Sequence, residues 1–332
     1  NKLHKNSKKK SSYASNKIEG NPLSEKQAEE VIESDERKHY LKPEQEVRNY
    51  FLALNYLEEK LNNKEKLSKK LILDVQKLVE KGAPKEKIGL RGPMPPGVLF
   101  AAYDSKTGNP DYIPPEYSDV PGLLDELIEY VNTTDDHPLI VAAVVHYQLV
   151  TIHPFEDGNG RTARLLSGYI MDLNGYGFNG VGSLEEYFAY DADEYYDSIQ
   201  MGLPALYYSG RENPPHPEIW INYFLRMVKL YSRKVCDLQL SSEEEDIAGS
   251  LSFLKEREKE LLVLLISNYR GEFTPIEVSK QLSVTNKTAI NRLAVLAKNG
   301  FVIPILVNKR IRSYKLSEFA INHEREIKEA VG

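Results

Sequence analysis

Four side chains that could act on a polyphosphate lie within twelve residues of one another: His153, Asp157, Arg161 and Arg164. A histidine titrates near neutral pH, so His153 can serve as a general base. Asp157 can bind a divalent metal that is itself bound to phosphate. Arg161 and Arg164 are three residues apart, so they share one face of a helix and can both reach phosphate oxygens.

Glycines shape the backbone between these side chains. Gly158 and Gly160 lie on either side of Asn159, which lets the chain turn sharply and exposes its N–H groups. The start of the following helix adds free N–H groups and the positive end of its dipole. These features predict an anion-binding loop. Because the loop joins two helices, it is neither a P-loop nor a dinucleotide-binding turn, both of which follow a strand.

Two predicted helices must hold this loop in place. Residues 138–152 are apolar on nearly every face, which predicts a helix buried on all sides in a sizeable domain. Pro138 suits its first turn, and Pro154 predicts that it ends near His153. The second helix is predicted over residues 161–173, where an Asn-Gly pair ends it.

The stretch from His153 to Arg164 resembles the signature of the Fic (Fido) family, His-x-Phe-x-Asp/Glu-Gly-Asn-Gly-Arg-x-x-Arg, and matches it at every fixed position. Most proteins of that family transfer AMP from ATP to a hydroxyl of a target protein. The resemblance therefore implies a mainly α catalytic domain that uses ATP and Mg²⁺. It also implies a protein target that offers a Ser, Thr or Tyr hydroxyl.

The resemblance implies a role for each residue of the signature. His153 would take the proton from the attacking hydroxyl, and Asp157 would hold Mg²⁺. Phe155 would anchor the loop in the core. The others would bind phosphates: Gly158, Asn159 and Gly160 the α- and β-phosphates, Arg161 the diphosphate, and Arg164 the γ-phosphate.

Residues 15–20 resemble the inhibitory motif of the same family, Ser/Thr-x-x-x-Glu-Gly/Asn. By resemblance, Glu19 would form an ion pair with Arg164. Its carboxylate would then occupy the arginine that binds the γ-phosphate and would repel that phosphate. Without the resemblance, these residues predict a short helical turn that ends at Gly20, with Ser24 starting a new helix.

Two further features flank the signature. Residues 89–115 break the helical period and predict two short strands around a Gly- and Asp-rich turn. This hairpin resembles the Fic flap, which adds a target segment by strand pairing, and the alternative is an ordinary surface hairpin. After the signature, a Tyr-Tyr pair resembles one whose first member, here Tyr195, contacts adenine in relatives. Eight residues later, many relatives have an asparagine that helps hold the nucleotide, whereas this sequence has Leu203.

Composition predicts a soluble protein of two domains. The chain has 332 residues, a net charge of −6, 41% hydrophobic residues and 28% charged residues. No apolar run approaches the roughly 18 residues of a membrane span, and no apolar segment follows the lysine-rich start. We therefore expect a cytoplasmic protein with no membrane partner. The single cysteine, Cys236, excludes an internal disulfide framework and a thiolate zinc site.

Changes in composition predict the domain boundaries. Residues 1–14 carry five lysines among Ser and Asn, which is typical of a flexible basic arm. The Fic-like domain is predicted over residues 15–240 and an acidic linker over 241–249. A second domain is predicted over 250–320, and a C-terminal tail over 321–332.

The second domain resembles a winged helix-turn-helix. Its pattern predicts a helix, a short helix, a third helix and a hairpin wing, in that order. Residues 251–332 contain 14 Lys and Arg against nine Asp and Glu, and the third helix has no acid. We expect DNA contacts from residues 285–292 and 309–312. The alternative is a protein-interaction role. By analogy with other Fic domains, we expect a homodimer.

These interpretations combine into one hypothesis: a Mg²⁺-dependent protein adenylyltransferase inhibited by Glu19, with a hairpin flap and a C-terminal winged helix. Three alternatives stay open. The same site could transfer another phosphate-linked group in place of AMP. The same site could remove AMP, with Glu19 orienting a water. The chain could instead be a DNA-binding regulator whose Fic domain senses nucleotide.

Overall fold

The computed structural model describes residues 2–34, 39–103, 108–201, 203, 216–307 and 310–331. The chain divides into two compact units, Asn1–Val235 and Cys236–Gly332. Within the described residues, both units consist mainly of helices and each has a two-stranded antiparallel sheet, which confirms the predicted mainly α class. None of the described helices combines the length and the apolar composition that a bilayer crossing requires.

The helices of the first unit surround a central pair. Before the pair come α1 (Lys2–Ile18), α2 (Glu25–Glu33), α3 (Lys42–Asn62), α4 (Lys69–Val79) and α5 (Val120–Thr133). The pair itself is α6 (Pro138–Ile152) and α7 (Asn159–Leu173). After it come α8 (Glu185–Tyr190), α9 (Ala192–Gln200) and α10 (Pro217–Ser252). Short 3₁₀ turns lie at Lys85–Lys87 and Phe178–Gly180.

The apolar sequence of α6 explains its central position. Nine of its 15 residues are buried, so it meets other elements on every side. Pro138 lies in its first turn, and the helix ends before Pro154, because proline disfavours helical geometry at the residue before it. Helix α7 starts at Asn159, two residues earlier than predicted, directly after Gly158 turns the chain with φ 80°.

The prediction of a flexible arm over residues 1–14 is wrong, because Lys2–Ile18 form a helix that packs into the first unit. Its lysines pair with carboxylates on other elements: Lys8 with Glu58, Lys9 with Glu33, and Lys10 with Glu186. Its buried face includes Ser12, Ala14, Ser15 and Asn16. Three of the lysine charges of this helix are therefore paired within the fold.

The chain turns after α1 as predicted. Gly20 adopts φ 80°, a left-handed conformation that glycine takes without strain. Ser24 then caps α2 in a reciprocal capping box with Gln27. As a result, Glu19 lies in the turn directly after the end of α1.

A hairpin forms within residues 89–115, as predicted. Strand β1 (Ala102–Tyr103) pairs antiparallel with β2 (Pro110–Tyr112), with Ala102 opposite Tyr112. Tyr112 buries its ring and donates its hydroxyl to the Thr151 carbonyl at 2.6 Å, which ties the hairpin to the end of α6. The turn is predicted at residues 104–108, of which 104–107 lie outside the described residues. The role of this hairpin as a flap stays a prediction.

The second unit has the predicted elements in the predicted order. They are α11 (Glu256–Asn268), α12 (Pro275–Gln281), α13 (Asn286–Lys298), β3 (Val302–Val307) and β4 (Arg310–Leu316), followed by α14 (Glu318–Asn322) and α15 (Glu324–Val331). Strands β3 and β4 pair antiparallel, and Lys309 of the predicted wing lies outside the described residues. The core of the unit gathers leucines from α11 and α13 around Phe301.

Two predicted boundaries differ from the structure. Helix α10 continues through residues 241–249, so the predicted linker is helical, and Ile247 and Leu251 within α10 join the core of the second unit. The predicted tail over 321–332 includes α15, whose Ile327 is buried in the same core. Both segments are rich in charged residues, but apolar residues at helical spacing pack into the core, and the segments are therefore helical.

Candidate active site

Asn159 holds the loop between α6 and α7 in shape. Its side-chain oxygen accepts from the Phe155 N–H at 3.0 Å, and its amide nitrogen donates to the Phe155 carbonyl at 2.9 Å. Phe155 is fully buried, so the loop is anchored to the core. Because the Asn159 side chain is committed to the loop itself, backbone N–H groups are what this loop offers to an anion.

His153 ends α6 in a left-handed conformation, with φ 50° and ψ 57°. Its Nδ1 lies 3.0 Å from the Val150 carbonyl oxygen. A carbonyl can only accept, so Nδ1 carries the proton and Nε2 keeps its lone pair. Burial lowers the pKa of His153 to about 4, so the ring is neutral at pH 7 and Nε2 can accept a proton.

Arg91 braces the backbone around His153. Its Nε donates to the His153 carbonyl and its backbone N–H to the Pro154 carbonyl, both at 2.9 Å. Its guanidinium lies 4.7 Å from the centroid of the Phe100 ring, and that ring lies 5.9 Å from the His153 ring. Nothing in the sequence around Arg91 predicts this role, since a lone arginine in a glycine- and proline-rich segment carries no distinctive pattern.

Asp157 is a partly exposed carboxylate beside the start of α7, with 33% of its side chain exposed. Its Oδ1 accepts from the Gly158 N–H at 2.8 Å and lies 3.2 Å from Arg161 Nη2. Its Oδ2 lies 3.5 Å from Lys87 Nζ. Burial acts to raise the pKa of Asp157, but Arg161, the Gly158 N–H and Lys87 hold it below its ordinary value. Asp157 is therefore ionised at neutral pH, as a metal ligand must be.

Arg161 forms a buried ion pair with Glu80, a residue that the sequence analysis missed. Arg161 Nη2 lies 2.9 Å from Glu80 Oε1, and both side chains are less than 9% exposed. Burial raises the pKa of Glu80, although Arg161 opposes the shift. The Nε and Nη1 atoms of Arg161 are buried and have no hydrogen-bond partner within the described residues. A guanidinium with uncommitted donors suits a phosphate.

Arg164 is an enclosed cation with 1% of its side chain exposed. Its Nη2 donates to Glu19 Oε1 at 2.6 Å and to the Ser15 carbonyl at 3.1 Å. Its Nε donates to Ser15 Oγ at 2.8 Å, and its Nη1 donates to the Tyr195 hydroxyl at 3.1 Å. Burial alone would lower the pKa of Arg164, but Tyr195 and Glu19 hold it above its ordinary value. Glu19 and Arg164 therefore form the predicted ion pair.

Gly160 allows Glu19 to approach α7 closely. A Cβ atom at Gly160 would lie 2.4 Å from Glu19 Oε1 and 3.2 Å from Arg164 Nη1. At Gly158, where φ is 80°, a Cβ atom would lie 2.9 Å from Glu80 Oε1. Both glycines therefore make room for a carboxylate at the start of α7, where the N–H groups and the helix dipole favour negative charge.

Tyr195 lies in the core beside the site. Only 1% of it is exposed, and its hydroxyl lies 3.0 Å from His146 Nε2 as well as beside Arg164. Its neighbour Tyr196 is 39% exposed and donates to the Ile18 carbonyl at 3.3 Å. The adenine contact predicted for Tyr195 stays a prediction, and the observed partners of its hydroxyl are Arg164 and His146.

Comparison with known families identifies the domain that holds this loop. The Fic/DOC family model matches residues 26–171. This segment is therefore similar to the Fic/DOC family. The matched segment contains the whole loop from His153 to Arg164, whereas Glu19 and Tyr195 lie outside it.

Curated relatives and solved structures resemble this domain. The protein adenylyltransferase Fic of Drosophila grimshawi is 31% identical over 171 residues, which cover 49% of this chain and 33% of that protein. The Drosophila mojavensis protein of the same name is 32% identical over 171 residues, which are 49% of this chain and 32% of that protein. The chain thus spans at most 33% of the length of these two relatives.

The fold recurs in solved structures. A Fic family protein from Desulfovibrio desulfuricans G20 has a TM-score of 0.56 at 20% identity, over 96% of this chain and 88% of that chain. A Fic domain containing signaling protein from Bacteroides thetaiotaomicron has a TM-score of 0.55 at 22% identity, over 69% of this chain and 87% of that chain. These likenesses show the fold.

Gly160→Ala tests the close approach of Glu19 to α7. The added Cβ meets the Glu19 carboxylate, which must then leave its bond to the buried Arg164. Alanine in a helix is otherwise favoured over glycine by about 1 kcal/mol. We expect Gly160→Ala to lower the free energy of unfolding by about 1–2 kcal/mol in the wild type. In a Glu19→Gly background it should leave that free energy unchanged or raise it.

Urea unfolding of the wild type, the two single variants and the double variant measures the coupling between the two positions. Gly168→Ala is the matched control, because Gly168 lies on the same helix and nothing is within 4 Å of its Cβ position. It should stabilise both backgrounds equally. A coupling energy below about 0.5 kcal/mol for Gly160→Ala would contradict the close approach.

Proposed function

We propose that this chain is a protein adenylyltransferase, which transfers AMP from ATP to a hydroxyl side chain of a target protein, and that Glu19 inhibits it. The similar Drosophila proteins are named for that activity. The observation that carries the proposal is the 2.6 Å ion pair between Glu19 and Arg164 beside the start of α7. A carboxylate bound to this arginine competes directly with a phosphate for the same donors.

The phosphates of ATP have matching donors around the start of α7. The backbone N–H groups of Gly158, Asn159 and Gly160 would bind the inner phosphates, aided by the helix dipole. Arg161 would add the donors that have no partner within the described residues. Arg164 would bind the terminal phosphate once Glu19 withdraws.

Asp157 is suited to bind a Mg²⁺ ion that is also bound to phosphate. Within the described residues, no group of three or more His, Cys, Asp or Glu could hold a metal ion by itself. A single ionised carboxylate nevertheless suits Mg²⁺, which is usually bound by one or two carboxylates together with substrate phosphates. Held by Asp157, Mg²⁺ would neutralise negative charge on the phosphates.

His153 would act as the general base. Its Nε2 takes the proton of the target hydroxyl while the hydroxyl oxygen attacks the α-phosphorus of ATP. A new P–O bond forms, the bond from the α-phosphorus to the bridging oxygen breaks, and diphosphate leaves. The contact of Nδ1 with the Val150 carbonyl at 3.0 Å holds the tautomer that this step needs.

Glu19 would inhibit by charge and by position. Its carboxylate takes one Nη2 donor of Arg164 and lies against Gly160, in the region that the terminal phosphate needs. A phosphate approaching this region meets a like charge. ATP would then bind with its terminal phosphates displaced, so that the α-phosphorus is badly aligned for attack.

Intact mass after incubation with ATP and Mg²⁺ tests transfer and inhibition together. Glu19→Gly should gain AMP by self-labelling at least about tenfold faster than the wild type, because Arg164 is free for the terminal phosphate. Glu19→Gly combined with His153→Ala should gain none, because the base is missing. Glu25→Gly should behave as the wild type, since Glu25 is an exposed glutamate that does not contact Arg164.

The remaining outcomes separate the alternatives. Equal labelling of the wild type and Glu19→Gly would contradict inhibition, and labelling that survives His153→Ala would contradict the base. Loss of AMP from a labelled protein would instead favour removal of AMP. Nucleotide binding without either reaction would favour a sensory role.

The lowered pKa of His153 predicts a flat pH dependence for transfer. The base stays neutral until the pH falls towards its pKa of about 4, so its proton-accepting form persists through mildly acidic solution. The self-labelling rate of Glu19→Gly should therefore change little between about pH 8 and pH 5.5. Initial rates from intact mass across this range measure the profile. A midpoint near 6.5, the ordinary value for histidine, would contradict the role of burial.

We further propose that residues 250–320 form a winged helix-turn-helix that binds DNA. On α13, Asn286, Lys287 and Asn291 are exposed, Arg292 is half-buried, and the helix contains no acid. Arg310 and Arg312 of β4 are also exposed. These residues supply amides for base edges and cations for phosphates.

Fluorescence anisotropy with a mixed-sequence DNA duplex tests this second function. Binding should weaken steeply with salt, and Lys287→Ala should reduce the salt slope by about 1. Arg325→Ala is the control, because it removes the same charge from an exposed side chain of α15. Binding to a protein that does not weaken with salt would instead favour the β3–β4 hairpin as a protein interface. Leu306 and Ile311 pair in this hairpin and are 61% and 51% exposed.

A further inference from the structure

Among the residues that the structure describes, Arg164 has one hydrogen-bond partner outside the N-terminal segment. Ser15 and Glu19 of that segment accept three of its hydrogen bonds. The fourth runs from Nη1 to the hydroxyl of Tyr195 on α9, at 3.1 Å. If Glu19 withdraws, Ser15 and Tyr195 still hold the plane of the guanidinium while one Nη2 donor becomes free.

The Tyr195 hydroxyl has a defined direction. Arginine can only donate, so the hydroxyl accepts from Arg164 at one lone pair and can give its own proton to His146 Nε2, 3.0 Å away. This arrangement requires a neutral His146 with its lone pair on Nε2. Burial and, to a smaller extent, the charge of Arg164 hold the pKa of His146 well below its ordinary value, so the ring is neutral.

The imidazole of His146 is itself fixed by packing. It stacks on Trp220 with the ring centroids 4.6 Å apart and an angle of 28° between the planes. The Trp220 Nε1–H donates to the Ala143 carbonyl of α6 at 2.8 Å. Each of the three rings, Tyr195, His146 and Trp220, is at most 1% exposed. The result is a rigid chain of contacts that ends at Arg164.

We propose that Tyr195 and His146 are positioning residues, which hold the Arg164 guanidinium ready for the terminal phosphate of ATP, and that Tyr195 does not contact the adenine. The proposal rests on the proposed function, because it assigns Arg164 to that phosphate. The burial of the Tyr195 ring supports it, since an enclosed ring offers no face on which a base can stack. The hydroxyl is committed in both directions, to Arg164 and to His146.

Calorimetric titration of ATP and ADP into the Glu19→Gly protein tests the proposal, because ADP lacks the terminal phosphate. Tyr195→Phe removes the hydroxyl and keeps the ring. In this background we expect the affinity for ATP to fall about tenfold, as is typical for loss of a hydrogen bond to a charged group. The affinity for ADP should change by less than about twofold.

Tyr223→Phe is the matched control. Tyr223 is a buried neighbour whose ring centroid lies 6.4 Å from that of Tyr195, and its hydroxyl has no hydrogen-bond partner within the described residues. Loss of that hydroxyl should leave the affinities for both nucleotides unchanged. Trp220 fluorescence during urea unfolding confirms that each variant is folded.

Variants of His146 test the second member of the chain. His146→Gln keeps an acceptor for the Tyr195 hydroxyl and should retain the preference for ATP over ADP. His146→Leu removes the acceptor and should lose that preference selectively. Equal effects of the two variants would show that His146 acts through packing alone and would overturn its positioning role.

Two results would overturn the role of Tyr195. Equal losses of ATP and ADP affinity in Tyr195→Phe would assign the residue to the base or the sugar. If Tyr195→Phe binds ATP as tightly as the Tyr223→Phe control, Arg164 does not need the Tyr195 hydroxyl to bind the terminal phosphate. Because these experiments measure binding, the absence of AMP transfer would count against the proposed function and not against this proposal.

Discussion

The buried guanidinium of Arg164 is the constraint on which the arrangement of the site depends. Only 1% of its side chain is exposed. Burying this cation without a counter-charge and hydrogen-bond acceptors would destabilise the fold by several kcal/mol. The guanidinium donates hydrogen bonds to Ser15, Glu19 and Tyr195, and Glu19 also supplies the counter-charge. As a result, the end of α1 lies against the start of α7. In the proposed function, the terminal phosphate of ATP replaces the carboxylate of Glu19 on the same donor. Inhibition is then a competition between two anions for one buried cation.

The anchoring of α1 bears on how that competition is resolved. Ser11 of α1 donates to the buried carboxylate of Glu185, which also accepts from Tyr50 and Ser183. Glu19, by contrast, lies beyond the end of the helix with 36% of its side chain exposed. Rotation of this one side chain breaks a single ion pair, whereas displacement of the helix would also break the contacts of its lysines and serines. The geometry therefore favours withdrawal of the side chain, with Ser15 remaining bonded to Arg164.

The start of α7 concentrates negative side chains around the positive end of a helix. Glu19 lies against Gly160, Glu80 lies against Gly158, and Asp157 accepts from the Gly158 N–H. Arg161, Arg164 and Lys87 form ion pairs with these three carboxylates. The glycines at 158 and 160 leave room for two of these carboxylates, because a Cβ atom at either position would lie closer than 3.0 Å to a carboxylate oxygen.

The sequence by itself determined the local features of this protein. Two helices joined by an anion-binding loop are predicted by the apolar run at 138–152, by Pro154, by the glycines at 158 and 160, and by the Asn-Gly pair after residue 173. The pattern of apolar residues predicts the elements of the second unit. Tertiary structure decided the rest. The composition of residues 1–14 predicts a flexible basic arm, because two acidic partners of its lysines lie 24 and 176 residues away along the chain. Glu80 joins Arg161 across 81 residues, and the burial of Tyr195 comes from the aromatic rings that pack around it. Spacing and periodicity report on neighbours along the chain, whereas these contacts exist only once distant segments have folded together.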